Sequence, residues 1–67
     1  MKFTLNEDYI ELYKLIKVLN LVDSGAEAKK VVADENVFRN GELETRKRAK
    51  ITKGEVIKIA DVTIEIV

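Results

Sequence analysis

Cationic side chains are the residues of this chain best suited to a chemical role. The segment from Thr45 to Lys53, called here the basic segment, carries five basic residues and no acidic one. Its basic residues are Arg46, Lys47, Arg48, Lys50 and Lys53. Residues 45–51 are expected in an extended or loop form. If they are extended, Arg46, Arg48 and Lys50 would share one face, and guanidinium groups match the oxygens of a phosphate. The segment therefore predicts a surface for a polyanion, although a solvated surface strand would carry the same charges.

The overall charge balance of the chain hides a local excess of positive charge. Twelve basic and twelve acidic side chains give a net charge of zero. Residues 29–53 nevertheless carry eight basic and four acidic side chains, a net charge of +4. An uneven distribution of this kind is typical of a face that binds an acidic partner.

Two adjacent lysines before the basic segment differ in their neighbours. Lys30 has Glu27 three residues before it and Asp34 four residues after it, so a helix would neutralise its charge. Lys29 has no acidic residue at those spacings. It would also lie near the start of its helix, where free N–H groups and the helix dipole attract anions. Lys29 is therefore the candidate phosphate contact of the two.

Few side chains could support catalysis, a metal or a cofactor. The sequence has no Cys and no His, which excludes disulfides, Cys/His zinc sites and nucleophiles that depend on histidine. The three glycines are isolated from one another and form no phosphate-binding loop. We therefore expect a binding module with no enzymatic activity, no cofactor, no metal site and no small-molecule substrate.

The first element expected to position these cations is an amphipathic helix. Asn6 is a suitable N-cap, and the helix should run over residues 7–20. Its apolar stripe at three- and four-residue spacing consists of Tyr9, Leu12, Tyr13, Ile16 and Leu19. The tyrosines could stack on bases, but their place in this stripe favours packing in the core.

A second helix should follow after a very short turn. Ser24 and Glu27 form a capping box at its start, and Asn36 is a suitable left-handed terminator. Its buried face would consist of Ala28, Val31 and Val32. The two helices together predict a helix-turn-helix-like unit.

The rest of the chain has the two-residue period of a β-sheet. Asn40-Gly41 predicts a type I′ hairpin turn, which would pair Phe38 with Leu43 and Arg39 with Glu42 and place Phe38 in the core. Further turns are expected at residues 53–55 and 60–61, and residues 1–5 are a candidate edge strand. The expected fold class is α+β, with one domain over residues 1–67 in which the helical unit precedes one small, mainly antiparallel sheet.

In combination these features resemble the S4 (S-four) RNA-binding domain, or αL motif, in its free-standing bacterial version. The matching stretches are Ser24-Gly25-Ala26-Glu27-Ala28-Lys29, Val37 to Gly41, Glu44 to Lys50, and Gly54-Glu55. The resemblance implies RNA contacts at Ser24, Lys29, Asn40, Arg46, Arg48 and Lys50, to which the basic segment adds Lys47 and Lys53. One departure is Gly25, where many members of the family have Arg.

The resemblance implies a non-enzymatic module that grips structured RNA, with ribosomal RNA or a ribosome-related particle as the expected partner. The alternative from another class is a protein-interaction adaptor whose basic face docks an acidic partner. We expect a cytoplasmic location, since Asn6-Glu7-Asp8 precede any signal-peptide core. We also expect a monomer. The longest apolar run, Val31-Val32-Ala33, is far below the roughly 20 residues of a membrane span.

Overall fold

Two helices and seven strands make up the computed structural model, which describes all 67 residues. The helices are α1 (Leu12–Val18) and α2 (Gly25–Ala33). The strands are β1 (Lys2–Phe3), β2 (Ile10–Glu11), β3 (Val37–Arg39), β4 (Glu42–Leu43), β5 (Lys50–Ile51), β6 (Val56–Ile59) and β7 (Val62–Ile66). The α+β class, with a helix pair before a mainly antiparallel sheet, is confirmed.

The strands form two sheets, where the sequence predicted one. Five of them lie in the order β1-β7-β6-β3-β4, and β2 pairs with β5 in a separate two-stranded sheet. Only the pairing of β1 with β7 is parallel. The prediction of an edge strand at the start of the chain is confirmed, because β1 lies at one edge of the larger sheet.

The core lies between the helices and one face of the five-stranded sheet. Strands β6 and β7 turn alternate residues inward, as the two-residue period predicts. Thirteen side chains form the core: Leu5, Leu12, Leu15, Ile16, Ala28, Val32, Val37, Ala49, Ile51, Ile57, Ile59, Ile64 and Ile66. Burying one of the larger aliphatic side chains stabilises the fold by about 1.5–3 kcal/mol. Neither helix has the length and apolar character needed to cross a membrane.

The prediction that Phe38 belongs to the core is wrong. Val37 points inward and is fully buried, so the next residue of β3 must face outward. The Phe38 side chain is accordingly 41% exposed on the outer face of the sheet.

Helix α1 starts five residues later than predicted, and Asn6 does not cap it. Ile10 and Glu11 are extended and pair with Ile51 and Lys50, and the N-cap Glu11 makes no side-chain capping bond. The first N–H groups of the helix donate instead to carbonyl oxygens of the basic segment. Leu12 N–H donates to the oxygen of Ala49 at 2.9 Å, and Tyr13 N–H to that of Lys47 at 3.0 Å. The basic segment therefore performs the capping that local sequence was expected to supply.

Helix α2 begins as predicted and ends one residue earlier than predicted. The Oγ of Ser24 accepts the N–H of Glu27 at 3.2 Å, which confirms the N-cap. Glu35, with φ 63°, takes the left-handed position that was assigned to Asn36. Asn36 N–H then donates to Val31 and Glu35 N–H to Val32, the pair of bonds of a Schellman motif.

The predicted hairpin is confirmed in its turn and its register. Asn40 and Gly41 both have positive φ, 52° and 87°, as a type I′ turn requires. Phe38 is paired with Leu43 and Arg39 with Glu42. The turns around Gly54 and at residues 60–61 also lie where they were predicted.

Candidate nucleic-acid interface

The basic segment forms a loop, one of the two forms expected for it, and it turns at residues 47–48. Residues 44–49 form the β4–β5 loop, in which Ala49 N–H donates to the carbonyl oxygen of Arg46 at 3.1 Å. The prediction that Arg46, Arg48 and Lys50 share one face of an extended chain is therefore wrong. The reason is the docking of this loop on the start of α1 through the carbonyl groups of residues 47 and 49. The same docking fixes where the loop's cations lie relative to both helices.

Three cations gather around one aromatic ring at the start of α1. The ammonium nitrogen of Lys29 lies 4.9 Å from the centroid of the Tyr13 ring. The guanidinium carbon of Arg48 lies 5.4 Å from the same centroid, and the ammonium nitrogen of Lys14 lies 6.0 Å from it. These are cation–π distances. We call Tyr13, Lys14, Lys29 and Arg48 the Tyr13 cluster.

Glu11 orients two of the cations of the Tyr13 cluster. Its carboxylate lies 3.2 Å from the ammonium of Lys14 and 3.4 Å from the guanidinium of Arg48. The hydrogen bond from Lys14, with a smaller contribution from Arg48, lowers the pKa of Glu11 below its usual value. Glu11 therefore stays ionised at neutral pH. The three cations of the Tyr13 cluster and the carboxylate of Glu11 together carry a net charge of +2.

Lys29 and Lys30 differ in the structure as their neighbours predicted. Lys30 forms an ion pair with Asp34 at 3.4 Å. Lys29 has no carboxylate within 4.0 Å, and its charge faces the Tyr13 ring. Lys29 is therefore the cation of α2 that is available to an external anion.

The two tyrosines do not both pack as the apolar stripe predicted. Tyr13 is half-buried against the core, and its ring also holds the cations described above. Tyr9 lies outside the helix and is exposed. The ammonium of Lys50 lies 4.9 Å from the centroid of the Tyr9 ring. The prediction of core packing is therefore wrong for Tyr9. For Tyr13 it describes only part of the role of the side chain.

A second group of charges surrounds Arg39. The paired strands place Glu42 opposite Arg39, but the guanidinium contacts Glu44 and Glu55 instead. Its Nη1 donates to Glu44 at 3.3 Å, while Nε and Nη2 both donate to Glu55. Its Nη2 also donates to the carbonyl oxygen of Lys50 at 2.8 Å. Arg39 therefore joins the hairpin to the start of the β4–β5 loop and to β5.

We call Arg39 and its partners Glu44 and Glu55 the Arg39 network. The pKa values of its two carboxyl groups lie well below the usual range. Hydrogen bonds from Arg46 and from Arg39 lower the pKa of Glu44 to about 2. Hydrogen bonds from Arg39 and from the N–H and hydroxyl of Thr52 lower the pKa of Glu55 to about 2. Both side chains are nearly buried, 8% and 12% exposed. The network is therefore fully ionised at neutral pH.

Asn40, a predicted RNA contact, has both side-chain polar atoms in use within the fold. Its amide nitrogen donates to Glu55 at 3.1 Å, and its amide oxygen accepts the N–H of Val56 at 2.9 Å. The side chain therefore ties the hairpin turn to β6. Its contact with RNA stays a prediction.

Arg46 has an acidic partner in space although its own segment contains none. Its Nε and Nη2 donate to the two oxygens of Glu44, each at 3.1 Å. The side chain is 73% exposed, so the outer edge of its guanidinium faces solvent. Lys47 and Lys53 are exposed and have no carboxylate within 4.0 Å. Lys53 lies in the turn between β5 and β6, next to Gly54, whose N–H donates to Ile66.

The comparison with known protein families decides the identity of the fold. The profile of the S4 domain matches residues 3–67. This chain belongs to the S4 domain family. The YbcJ proteins of Escherichia coli K12 and Shigella flexneri are each 37% identical to this S4 domain over 59 residues, which cover 88% of this chain and 84% of theirs.

Two solved structures share the fold of this S4 domain. The solution structure of Escherichia coli YbcJ, described as revealing an αL motif involved in RNA binding, has a TM-score of 0.76 and 36% identity. The match covers 98% of this chain and 85% of YbcJ. The crystal structure of the 30S ribosomal protein S4e from Thermoplasma acidophilum has a TM-score of 0.71 and 24% identity, covering 87% of this chain but 31% of that chain. The resemblance to the αL motif is therefore confirmed.

Sequence reasoning missed three residues of the candidate site of this S4 domain: Glu11, Tyr13 and Lys14. Tyr13 was assigned to the core because its helical spacing matches that of core residues, and its role as a platform for cations depends on residues that are distant in sequence. Glu11 reaches Arg48, which is 37 residues away. The i,i+3 spacing of Glu11 and Lys14 was the available signal for this carboxylate.

Proposed function

We propose that this S4 domain binds structured RNA, with the Tyr13 cluster at the centre of its binding surface. Lys29 and Arg48 are the proposed phosphate contacts. The observation that carries the proposal is their convergence: one comes from α2, the other from the β4–β5 loop, and both lie over the Tyr13 ring. The αL motif of YbcJ, described as involved in RNA binding, supports the same class of ligand.

The proposed surface is preorganised for anions. The Tyr13 ring holds Lys29 and Arg48, and Glu11 holds Arg48 from another side. Because these side chains are positioned before RNA arrives, less conformational entropy is lost on binding than with freely rotating lysines. The remaining contacts in the proposal are Ser24, Asn40, Arg46, Lys47, Lys50 and Lys53. Ser24 would act through the start of α2, which its side chain caps.

Ribosomal RNA, or an RNA of a ribosome-related particle, is the target class that we propose to test first, with the protein acting as a cytoplasmic monomer. The 30S ribosomal protein S4e contains the same fold, which supports testing this class of RNA first. Retention of the protein on ribosomal RNA at low salt, and sequencing of RNAs crosslinked to it in cells, would test it. A protein that crosslinks to no RNA and docks an acidic protein partner would support the adaptor alternative.

Binding should weaken steeply as salt is added. If Lys29, Lys47, Arg48 and Lys50 each neutralise one phosphate, the logarithm of the association constant should fall against the logarithm of salt concentration with a slope of roughly −3 to −4. Titrations of a structured ribosomal RNA fragment between low and physiological salt would measure this slope. An affinity that does not change with salt would contradict the proposed phosphate contacts.

Lys29→Ala and Lys30→Ala should differ although the residues are adjacent. Lys29→Ala should cost the affinity of about one phosphate contact and reduce the salt slope by roughly one, because the Lys29 charge has no carboxylate partner. Lys30→Ala should cost a few tenths of a kcal/mol of helix stability, through its pair with Asp34, and little affinity. RNA titration and thermal unfolding of both variants would decide it. Equal losses of affinity would show that only bulk charge matters.

A further inference from the structure

The outer face of the five-stranded sheet carries an exposed aromatic side chain that the proposed function does not use. Phe38 lies between Leu43 on β4 and Lys58 on β6, its two cross-strand partners. Phe38, Leu43 and Val56 are all exposed. A depression of about 360 Å³ between these strands is lined by Phe38, Gly41, Val56, Lys58 and Thr63. We call Phe38, Leu43, Val56 and Lys58 the Phe38 patch.

The Phe38 patch pairs an aromatic ring with a free cation. Lys58 lies directly across from Phe38 and has no carboxylate within 4.0 Å. Proteins that bind single-stranded nucleic acid stack bases on exposed aromatic rings of a sheet and hold the backbone with neighbouring cations. In this patch the Phe38 ring offers a face on which a base can stack, and the Lys58 ammonium can contact a phosphate next to that base.

We propose that Phe38 stacks on an unpaired base of the bound RNA while Lys58 contacts an adjacent phosphate. This inference rests on the proposed function, since it concerns a single-stranded segment that extends from the structured RNA. Leu43 leads directly into the β4–β5 loop, which carries the exposed Arg46 and, further on, Arg48 of the Tyr13 cluster. The β4–β5 loop therefore connects a strand of the Phe38 patch to one cation of the Tyr13 cluster.

A single-stranded RNA segment fits the Phe38 patch better than a second copy of the chain does. A stable protein–protein interface buries about 800 Å² on each partner, which is a large share of the 4336 Å² accessible surface of this chain. Three partly exposed apolar side chains fall far short of that area. In a dimer formed through this patch, Lys58 would face the Lys58 of the second copy or be buried without a carboxylate partner. Burying an unpaired charge lowers the stability of such an interface.

The test compares two RNAs with the same stem, one blunt and one with a single-stranded extension of six uridines. Wild-type protein should bind the extended RNA more tightly than the blunt RNA. Phe38→Leu keeps apolar bulk but has no aromatic face, so it should lose about fivefold or more in affinity for the extended RNA only. Phe38→Tyr should retain the wild-type affinity for both. Val18→Ala, which changes an exposed apolar residue at the end of α1, serves as the control and should leave both affinities unchanged.

The outcomes separate this inference from the proposed function. Wild-type protein that binds both RNAs equally, or a folded Phe38→Leu variant with wild-type affinity for the extended RNA, would overturn the stacking of a base on Phe38 and leave the Tyr13 cluster unaffected. Wild-type protein that binds neither RNA would overturn both proposals. Sedimentation that shows a dimer of the wild type and a monomer of Phe38→Leu would identify the patch as a contact between copies and overturn its role in RNA binding.

Discussion

Replacing Arg39 by methionine should lower the free energy of unfolding by about 3 kcal/mol, since removing the cation of this partly buried network leaves uncompensated charges on the nearly buried Glu44 and Glu55. Arg39 contacts Glu44, Glu55 and the carbonyl oxygen of Lys50. Methionine fills a similar volume but donates no hydrogen bond, so two nearly buried carboxylates would lose their shared cation. Urea unfolding of both proteins at neutral pH would measure the difference.

Arg46→Met is the matched control for Arg39→Met. It removes the other guanidinium that contacts Glu44, but the Arg46 side chain is 73% exposed. Exposed ion pairs contribute about 1 kcal/mol or less. Equal losses of stability in the two variants would show that the burial of Arg39 has no special importance and would contradict the proposed structural role of its network.

The Arg39 network connects fold stability to the candidate RNA surface. Glu44 begins the β4–β5 loop, and Lys50, whose carbonyl oxygen accepts from Arg39, follows the loop directly. Both ends of the loop are therefore tied to one guanidinium, while its middle is tied to α1 through Lys47 and Ala49. The cation of Arg48 is held in the Tyr13 cluster because the backbone of its loop is held at these points. Arg39 thus contributes to the candidate RNA surface indirectly, by positioning the β4–β5 loop that carries Arg48.

Features that depend on residues close in sequence could be predicted. The Ser24 cap joins groups three residues apart, and the hairpin turn depends on the positive φ angles that Asn40 and Gly41 adopt readily. The contrast between Lys29 and Lys30 also follows from i,i+3 and i,i+4 spacings. In each case the interaction partners lie within one turn of a helix or one hairpin, so the sequence pattern contains them.

Features that depend on distant contacts could not be predicted. The start of α1 is fixed by carbonyl oxygens of the basic segment, more than thirty residues away. Arg39 pairs with Glu55, sixteen residues further along, although Glu42 lies directly opposite it in the hairpin. Val37 and Phe38 are both apolar, and only the assembled sheet determines which of them faces the helices. The Tyr13 cluster needs three separate segments, so no local pattern could indicate it.

Acid should destabilise this protein between about pH 5 and pH 2. In the folded protein the pKa of Glu44 and that of Glu55 are lowered to about 2, whereas in the unfolded chain a glutamate has a pKa of about 4.3. The folded state therefore binds fewer protons in this range, so its stability is fully present above the unfolded pKa and is lost as pH falls toward 2. Each carboxylate alone would account for at most about 3 kcal/mol of this loss, and the share of Glu44 is smaller because its main partner, Arg46, is exposed to solvent. Because the two share Arg39, we expect a combined loss of about 3–5 kcal/mol. This is a large part of the roughly 5–15 kcal/mol by which a small domain is stable.

Urea unfolding at a series of pH values would measure this profile, with Glu55→Gln as the matched variant. Glutamine cannot ionise, so Glu55→Gln should be clearly less stable than the wild type at pH 7. It should approach wild-type stability as the pH falls to 2, where about half of the Glu55 side chains are protonated in the folded protein. The sequence has no histidine, and no histidine titration should therefore tilt the profile between pH 5 and 8. A wild-type stability that is constant down to pH 2 would contradict the lowered pKa values. Two parallel profiles, separated by the same free energy at every pH, would show that Glu55 contributes through packing and that its charge does not stabilise the fold.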